Sequence, residues 1–228
     1  MPRKPRTVIQ GIAHQMTQRG NNGQDAFLSD EDKNAYLKKL LGKAEKYSLE
    51  ILGYCLMSNH VDIIGVPREA DSLAKAFGRT NLSYTQYFND KYGFSGHLWQ
   101  NRFYSCPLDE EYFWLALSYV ERIPVRAGLV EVAWSYSWSS AAAHVGDDSL
   151  DKLIDLRKWD GIATGIDWRS RLTGPEDKET MSRIHRHLKS GRPLGNGDFV
   201  DALELKTGRR LRPLPVGRPA KKRNNSLP

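Results

Sequence analysis

Tyr54-Cys55-Leu56-Met57-Ser58-Asn59-His60-Val61-Asp62-Ile63-Ile64-Gly65-Val66 is the stretch from which the fold is read. Two apolar runs, residues 51–57 and 61–66, flank Ser58-Asn59, a break of hairpin length that lacks the preferred Asn-Gly. The second run opens on His60 and Asp62. At i and i+2 on a strand these side chains share one face, and Val61 and Ile63 take the other. An imidazole and a carboxylate at the mouth of an apolar strand cost folding free energy unless both find partners. The pair is a candidate metal or proton-transfer site, with a structural pairing as the plain alternative. Mg²⁺ or Mn²⁺ accepts such a mixed nitrogen and oxygen set, with water and phosphate oxygens in the other positions.

Outward from this hairpin the periodicity switches repeatedly. Residues 9–17 alternate as a strand and end in a polar turn at 18–23. Ser29-Asp30-Glu31-Asp32 is a hydroxyl cap with acids in the first turn. Tyr36, Leu37, Leu40, Leu41 and Ala44 then recur at helical spacing. A second helix is expected over residues 72–92, on Leu73, Phe77, Leu82, Tyr84, Tyr87 and Phe88. His97-Leu98-Trp99-Gln100-Asn101-Arg102-Phe103-Tyr104 reads as a strand between Gly96 and Pro107. A third helix starts at Asp109-Glu110-Glu111 and is expected to stop at Pro124, which pushes the preceding residue out of helical geometry. The order strand, helix, strand, strand, helix, strand, helix predicts an α+β fold, a ferredoxin-like split βαβ antiparallel sheet with packed helices.

After it, Trp134-Ser135-Tyr136-Ser137-Trp138-Ser139-Ser140 is expected to lay tryptophans over the body. The pattern then loosens. One short helix is expected through Leu150, Leu153, Ile154 and Trp159, others at 176–188 and 198–206, a turn at 191–195, and a disordered basic end. This divides the chain into a body, residues 1–145, and a basic C-terminal region, 146–228, that is partly helical.

The charge is uneven. Of the 228 residues, those from Arg183 onward hold twelve Lys/Arg against Asp198, Asp201 and Glu204, and the rest sum to −2. A near-neutral body with a basic tail favours a polyanion, most often nucleic acid; a tail that only aids solubility is the alternative. Cys55 and Cys106 are too far apart for a CxxC metal site and too few for a disulfide framework. Apolar runs of about seven residues are too short to span a membrane. The basic start, residues 1–6, lacks the apolar segment of a signal peptide. A cytoplasmic protein is expected.

Several polar or flat residues cluster at strand ends: Arg19, Asn21, His97, Trp99, Gln100 and Arg102. Arginine pairs bidentately with phosphate, and a tryptophan face can stack on an unpaired base, although Trp99 suits a core equally well. Val216-Gly217-Arg218-Pro219 with Lys221-Lys222-Arg223 has the form of an extended segment that lays an arginine, Arg218, into a narrow minor groove. Tyr112, Ala116, Tyr119 and Ile123 share a helical stripe facing the body. Such a stripe is more often core than chemistry, yet a tyrosine can act as a covalent nucleophile.

Taken together, five blocks in order resemble the REP-associated tyrosine transposases, bacterial members of the single-tyrosine HUH transposase superfamily. They are residues 11–21, 54–66, 97–107, 119–130 and Trp138-Ser139-Ser140. The resemblance implies a ferredoxin-like nuclease that binds a hairpin with its single-stranded flank, cleaves beside it, and holds the 5′ end as a phosphotyrosine on Tyr119. It implies a divalent ion, Mg²⁺ or Mn²⁺, at the metal motif, and a place at the bacterial nucleoid. Two positions depart from the family pattern. The motif is His-hydrophobic-His, and Asp62 stands at its second member. The family commonly has Asn one turn after the tyrosine, where this chain has Ile123. A catalytically weak or inactive hairpin-binding protein is the alternative those departures leave open.

Overall fold

The computed structural model describes residues 6–146 and 151–213. Its sheet has four strands, β1 (His14–Arg19), β2 (Leu49–Leu56), β3 (His60–Pro67) and β4 (Tyr104–Pro107), ordered β2-β3-β1-β4 and antiparallel at every pairing. Interleaved with them run α1 (Asp30–Lys46), α2 (Arg79–Tyr92) and α3 (Glu110–Glu121). This is the ferredoxin-like order expected from the periodicities, with α3 as the extra helix. Ser29 caps α1 in a capping box with Asp32, and Asp109 caps α3 through the Tyr112 amide, as the acid-rich starts suggested.

Register sorts the residues between two faces. Thr17 lies opposite Asp62, Gln15 opposite Ile64, and Arg19 opposite His60, so these six share one face. That face meets α3. Ile64 pairs with Gly53, where any Cβ would collide with the Leu117 side chain of α3. The absent side chain therefore lets α3 lie close on the sheet. The opposite face, with Met16 and Gln18, looks towards α2.

Beyond the sheet come α4 (Ile123–Arg126), α5 (Ala141–His144), α6 (Leu156–Ile162), α7 (Trp168–Thr173), α8 (Lys178–Ser190) and α9 (Gly197–Thr207). Ile154, Trp159, Trp168, Leu172, Ile184, Leu188 and Leu194 join the same buried core as the strands. A polar knot fastens this junction. The buried Glu121 carboxylate receives Ser140 Oγ at 2.5 Å, His144 Nδ1 at 2.5 Å and Trp168 Nε1 at 2.8 Å. Residues 134–138 close the body as expected, since Trp138 accepts a hydrogen bond from the Leu56 amide and Ser139 bridges to Cys55 at the edge of β2. Among the described residues no helix is long and apolar enough to cross a membrane.

Four expectations need correction. The first strand begins at His14, not Ile9, because Gly11 at φ 77° turns the chain and gives its N–H to Pro67. It continues to Arg19, through residues read as a turn. Residues 97–103 are not a strand: Leu98 and Phe103 drop into the core as separate anchors, and the pairing there is one bridge between Gly20 and Trp99. Regular pairing starts only at Tyr104. Pro124 does not end the helical path. Arg122 breaks it, and Pro124 sits in the first turn of α4, where its missing N–H is harmless. Finally, α6 starts at Leu156 behind an Asp155 cap, so Leu153 and Ile154 precede it, and α7 was not anticipated. Leu150, the basic arm at 1–5 and the end that includes Arg218 lie outside the described residues.

Candidate functional site

His60 opens β3, a central strand, and Asp62 follows on the face covered by α3. Asp62 is only 5% exposed. Its cross-strand partner Thr17 donates to Oδ2 at 3.1 Å, and Gln15 Nε2 lies 3.4 Å from Oδ1. Burial pushes the carboxyl pKa up, while His60, Thr17, Gln15 and Arg126 pull against it. His60 Nδ1 lies 2.6 Å from Asn59 Oδ1, and Nε2 lies 3.8 Å from Asp62 Oδ2. An amide oxygen only accepts, so Nδ1 carries the proton and Nε2 faces Asp62 with a lone pair. Burial lowers the imidazole pKa, Asp62 raises it and Arg19 lowers it further. Both shifts are led by desolvation, so the pair is held towards its neutral forms.

Tyr119 reaches the same neighbourhood from α3. Its stripe is as expected: Tyr112 and Ala116 are buried, and Tyr119 and Ile123 are half-buried. Two turns later the Arg126 guanidinium lies 4.2 Å from the Tyr119 ring centroid and donates to the Tyr119 carbonyl at 2.6 Å. Glu176 holds that guanidinium at 2.6 Å and stands 3.5 Å from Arg122. Burial raises the Tyr119 phenol pKa and the Asp62 charge adds to it, whereas Arg126 lowers it. Tyr119, Asp62, His60 and Arg126 thus form one electrostatically coupled group. Beside Tyr119 and Arg126 opens a cleft of about 470 Å³ whose other wall is Met181, Ser182, His185 and Arg186 of α8.

For a divalent cation this face offers two protein donors, His60 Nε2 and Asp62 Oδ2, the latter already receiving the Thr17 hydroxyl. A metal-binding histidine is commonly fixed through its other ring nitrogen, as Asn59 fixes His60 here. Among the described residues no group of three or more His, Cys, Asp or Glu could hold a metal, and Ile123 offers no donor. The buried Gln15 Oε1, on the amide that touches Asp62, has no hydrogen-bond partner and is a further oxygen donor of the right chemistry.

The residues singled out for DNA separate into two places. Asn21, His97, Trp99, Gln100 and Arg102 line one cleft of about 680 Å³ against α2, together with Arg6 and Gln18. Arg19 stands on the other face, where it acts on His60. Trp99 is no free platform: its indole N–H donates to Asn81 at 3.1 Å and its ring packs on Phe27, Tyr36 and Tyr84. Arg218 is outside the described residues.

Gln15, Thr17, Arg126 and Glu176 were not found from the sequence. Arg126 carried a signal, two helical turns after Tyr119 on the same stripe. Thr17 and Gln15 required the β1–β3 register, and Glu176 lies 50 residues from its partner.

The family model described as "Transposase IS200 like" matches residues 20–123. The solved structure of a REP-associated tyrosine transposase bound to a REP hairpin superposes with a TM-score of 0.53 at 18% identity, covering 68% of this chain and 90% of that one. A protein from Deinococcus radiodurans R1, provisionally assigned as a transposase, aligns at a TM-score of 0.38 and 16% identity, over 53% of this chain and 97% of that one, too loosely to define a fold. No curated protein matches significantly. The segment that holds His60, Asp62 and Tyr119 lies within the match to the IS200-like transposase model, and the fold is similar to that of a REP-associated tyrosine transposase.

Proposed function

We propose that this chain binds a DNA hairpin with its single-stranded flank and cleaves and rejoins the flank through Tyr119. The observation that carries the reading is geometric: the Arg126 guanidinium lies 4.2 Å from the Tyr119 ring on α3, and His60 and Asp62 lie on the sheet face that α3 covers. The hairpin partner is suggested by the similar structure, which was solved with a REP hairpin. In the reaction, the Tyr119 oxygen attacks the scissile phosphorus and gives up its proton to water. The bond to the 3′ oxygen breaks, and that oxygen leaves with a proton. Attack by another 3′-hydroxyl reverses the step and restores the phenol, so the phosphodiester energy is conserved in the protein–DNA bond. Arg126 faces the phosphate charge with a planar guanidinium. His60 and Asp62 would hold Mg²⁺ or Mn²⁺, whose chemistry is to polarise the scissile phosphate and align the leaving oxygen. In this reading residues 1–145 carry the chemistry, residues 146–228 add basic surface, and the protein works at the bacterial nucleoid.

The test is a labelled hairpin oligonucleotide incubated with Mg²⁺ or Mn²⁺ and run on a denaturing gel. A slower band that disappears in Tyr119→Phe supports cleavage. No band under any divalent ion, with one restored by Asp62→His plus Ile123→Asn, refutes activity in this chain. The second reading, a hairpin-binding protein without chemistry, is favoured by one observation: both Asp62 oxygens are already engaged and Ile123 cannot replace a ligand. It requires that Tyr119→Phe leave binding unchanged while the wild type forms no adduct.

A further inference from the structure

A third cleft, of about 420 Å³, runs along the outer edge of β4 and continues the α2-side cleft, sharing Arg6, Asn101, Arg102 and Phe103 with it. Four separate segments build its walls: the arm at Arg6, residues 101–105, the end of α8, and the turn after α9. They bring Arg6, Arg102, Lys189, Arg192 and Arg210 to one place, with Arg209 beside them, and among the described residues no Asp or Glu lines it. Arg212 also borders the cleft, but its charge is matched by Asp201 and Glu204. Like charges gathered from distant parts of a chain raise the free energy of folding unless an anion offsets them.

We propose that this cleft is a phosphate site that takes the backbone of the bound DNA, so that the C-terminal region extends the nucleic-acid track past the α2-side cleft. The proposal rests on the DNA-binding reading above. Three further observations support it. Arg6 is fixed rather than floating: its guanidinium sits 3.6 Å over the Phe103 ring and donates to the Phe103 carbonyl at 3.0 Å. Burial first, and the neighbouring Arg102 after it, hold its pKa down to about 10. Ser105, 3% exposed, lines the cleft with a hydroxyl that has no hydrogen-bond partner. Tyr104, 39% exposed in the same wall, supplies an aromatic ring on which a base can stack. A guanidinium cluster with a spare hydroxyl and an aromatic ring suits phosphodiester better than an acidic peptide, which presents no flat base to stack.

The test uses the full chain and a fluorescent DNA hairpin oligonucleotide with a single-stranded flank, titrated between about 50 and 200 mM salt. Two double variants are compared with wild type, Lys189→Ala/Arg192→Ala and Arg209→Ala/Arg210→Ala, each checked by thermal melting. Each lost phosphate contact should reduce the slope of log affinity against log salt by about 0.7 to 0.9. Either double variant should therefore flatten the slope by roughly 1.5 and weaken binding at least tenfold at low salt. If wild type binds and both folded variants keep its slope, the cleft is not a phosphate site. If wild type shows no salt-dependent binding, the DNA-binding reading falls and this proposal with it. If the variants lose binding to vesicles of anionic lipid but keep the oligonucleotide, the nucleic-acid assignment is overturned.

Discussion

Truncating Glu121 should cost this protein a large part of its stability, and the structure sets the amount. Glu121 is fully buried, and its two oxygens serve three donors from the segment after α4, from α5 and from α7. In Glu121→Ala, Ser140 keeps a contact of 3.3 Å to the Tyr54 carbonyl, but His144 Nδ1 and Trp168 Nε1 lose the acceptor they face. A buried donor left without a partner costs about 1–3 kcal/mol. Two such donors give roughly 2–6 kcal/mol, and breaking a buried charged contact falls in the same range, about 3–5 kcal/mol. A loss near 4 kcal/mol is expected from a total that for a typical protein is about 5–15 kcal/mol. Urea denaturation of both proteins reads it as a shift in midpoint at unchanged slope. Glu121→Gln keeps the shape and one acceptor but turns an N–H towards either Trp168 or the Ser140/His144 pair, so it should lie between the two. A loss below about 1 kcal/mol in Glu121→Ala would refute the view that this carboxylate fastens the C-terminal helices to α3.

Four other outcomes follow from the structure. Burial raises the folded pKa of Asp62 above its ordinary value of 3.8, so the folded state binds that proton more tightly than the unfolded chain. Stability from this group is greatest below 3.8 and falls as pH rises from there through the raised folded value. In EDTA, Asp62→Asn should therefore gain on wild type across that window and keep a constant advantage above it, as measured by denaturation at a series of pH values. His60 acts in the opposite sense: its lowered pKa favours the neutral ring, so its share of stability is present above 6.5 and is lost as pH falls through the lowered value. Arg126→Ala removes the guanidinium next to Tyr119 and should slow adduct formation about 100-fold, by the scale of one lost charge-stabilising donor, with hairpin affinity changed far less. Gly53→Ala drives a methyl into Leu117 and should destabilise by about 1–3 kcal/mol, whereas Gly53→Ala with Leu117→Ala should recover part of that loss in a double-mutant cycle.

How much of this was legible in the chain depends on how local each feature is. Caps, helical stripes and the two apolar runs act over a few residues, and α1, α3, β2 and β3 were found where those signals placed them, as was α2 with the π-helical turn Ala74–Gly78 that leads into it. Residues 97–103 failed because Leu98 and Phe103 reach the core from a loop, which mimics the content of a strand without its alternation. Pro124 failed because a proline is forbidden inside a helix but welcome in the first turn of the next one.

The sequence by itself determined the order of elements from β1 to α3, the single-face placement of His60 and Asp62, the inward stripe through Tyr119, and the basic bias of the C-terminal region. Only the tertiary structure decided what those residues touch. Pairing of β1 with β3 puts Thr17 and Gln15 on Asp62, and the break at Arg122 folds Arg126 back over Tyr119. The packing of α8 brings one wall of the Tyr119 cleft and one wall of the β4-edge cleft from residues more than 60 positions further along. The reason is physical: periodicity encodes which side of an element is apolar, whereas strand register and helix packing select which distant side chains share a volume, and charge and desolvation act only once they do.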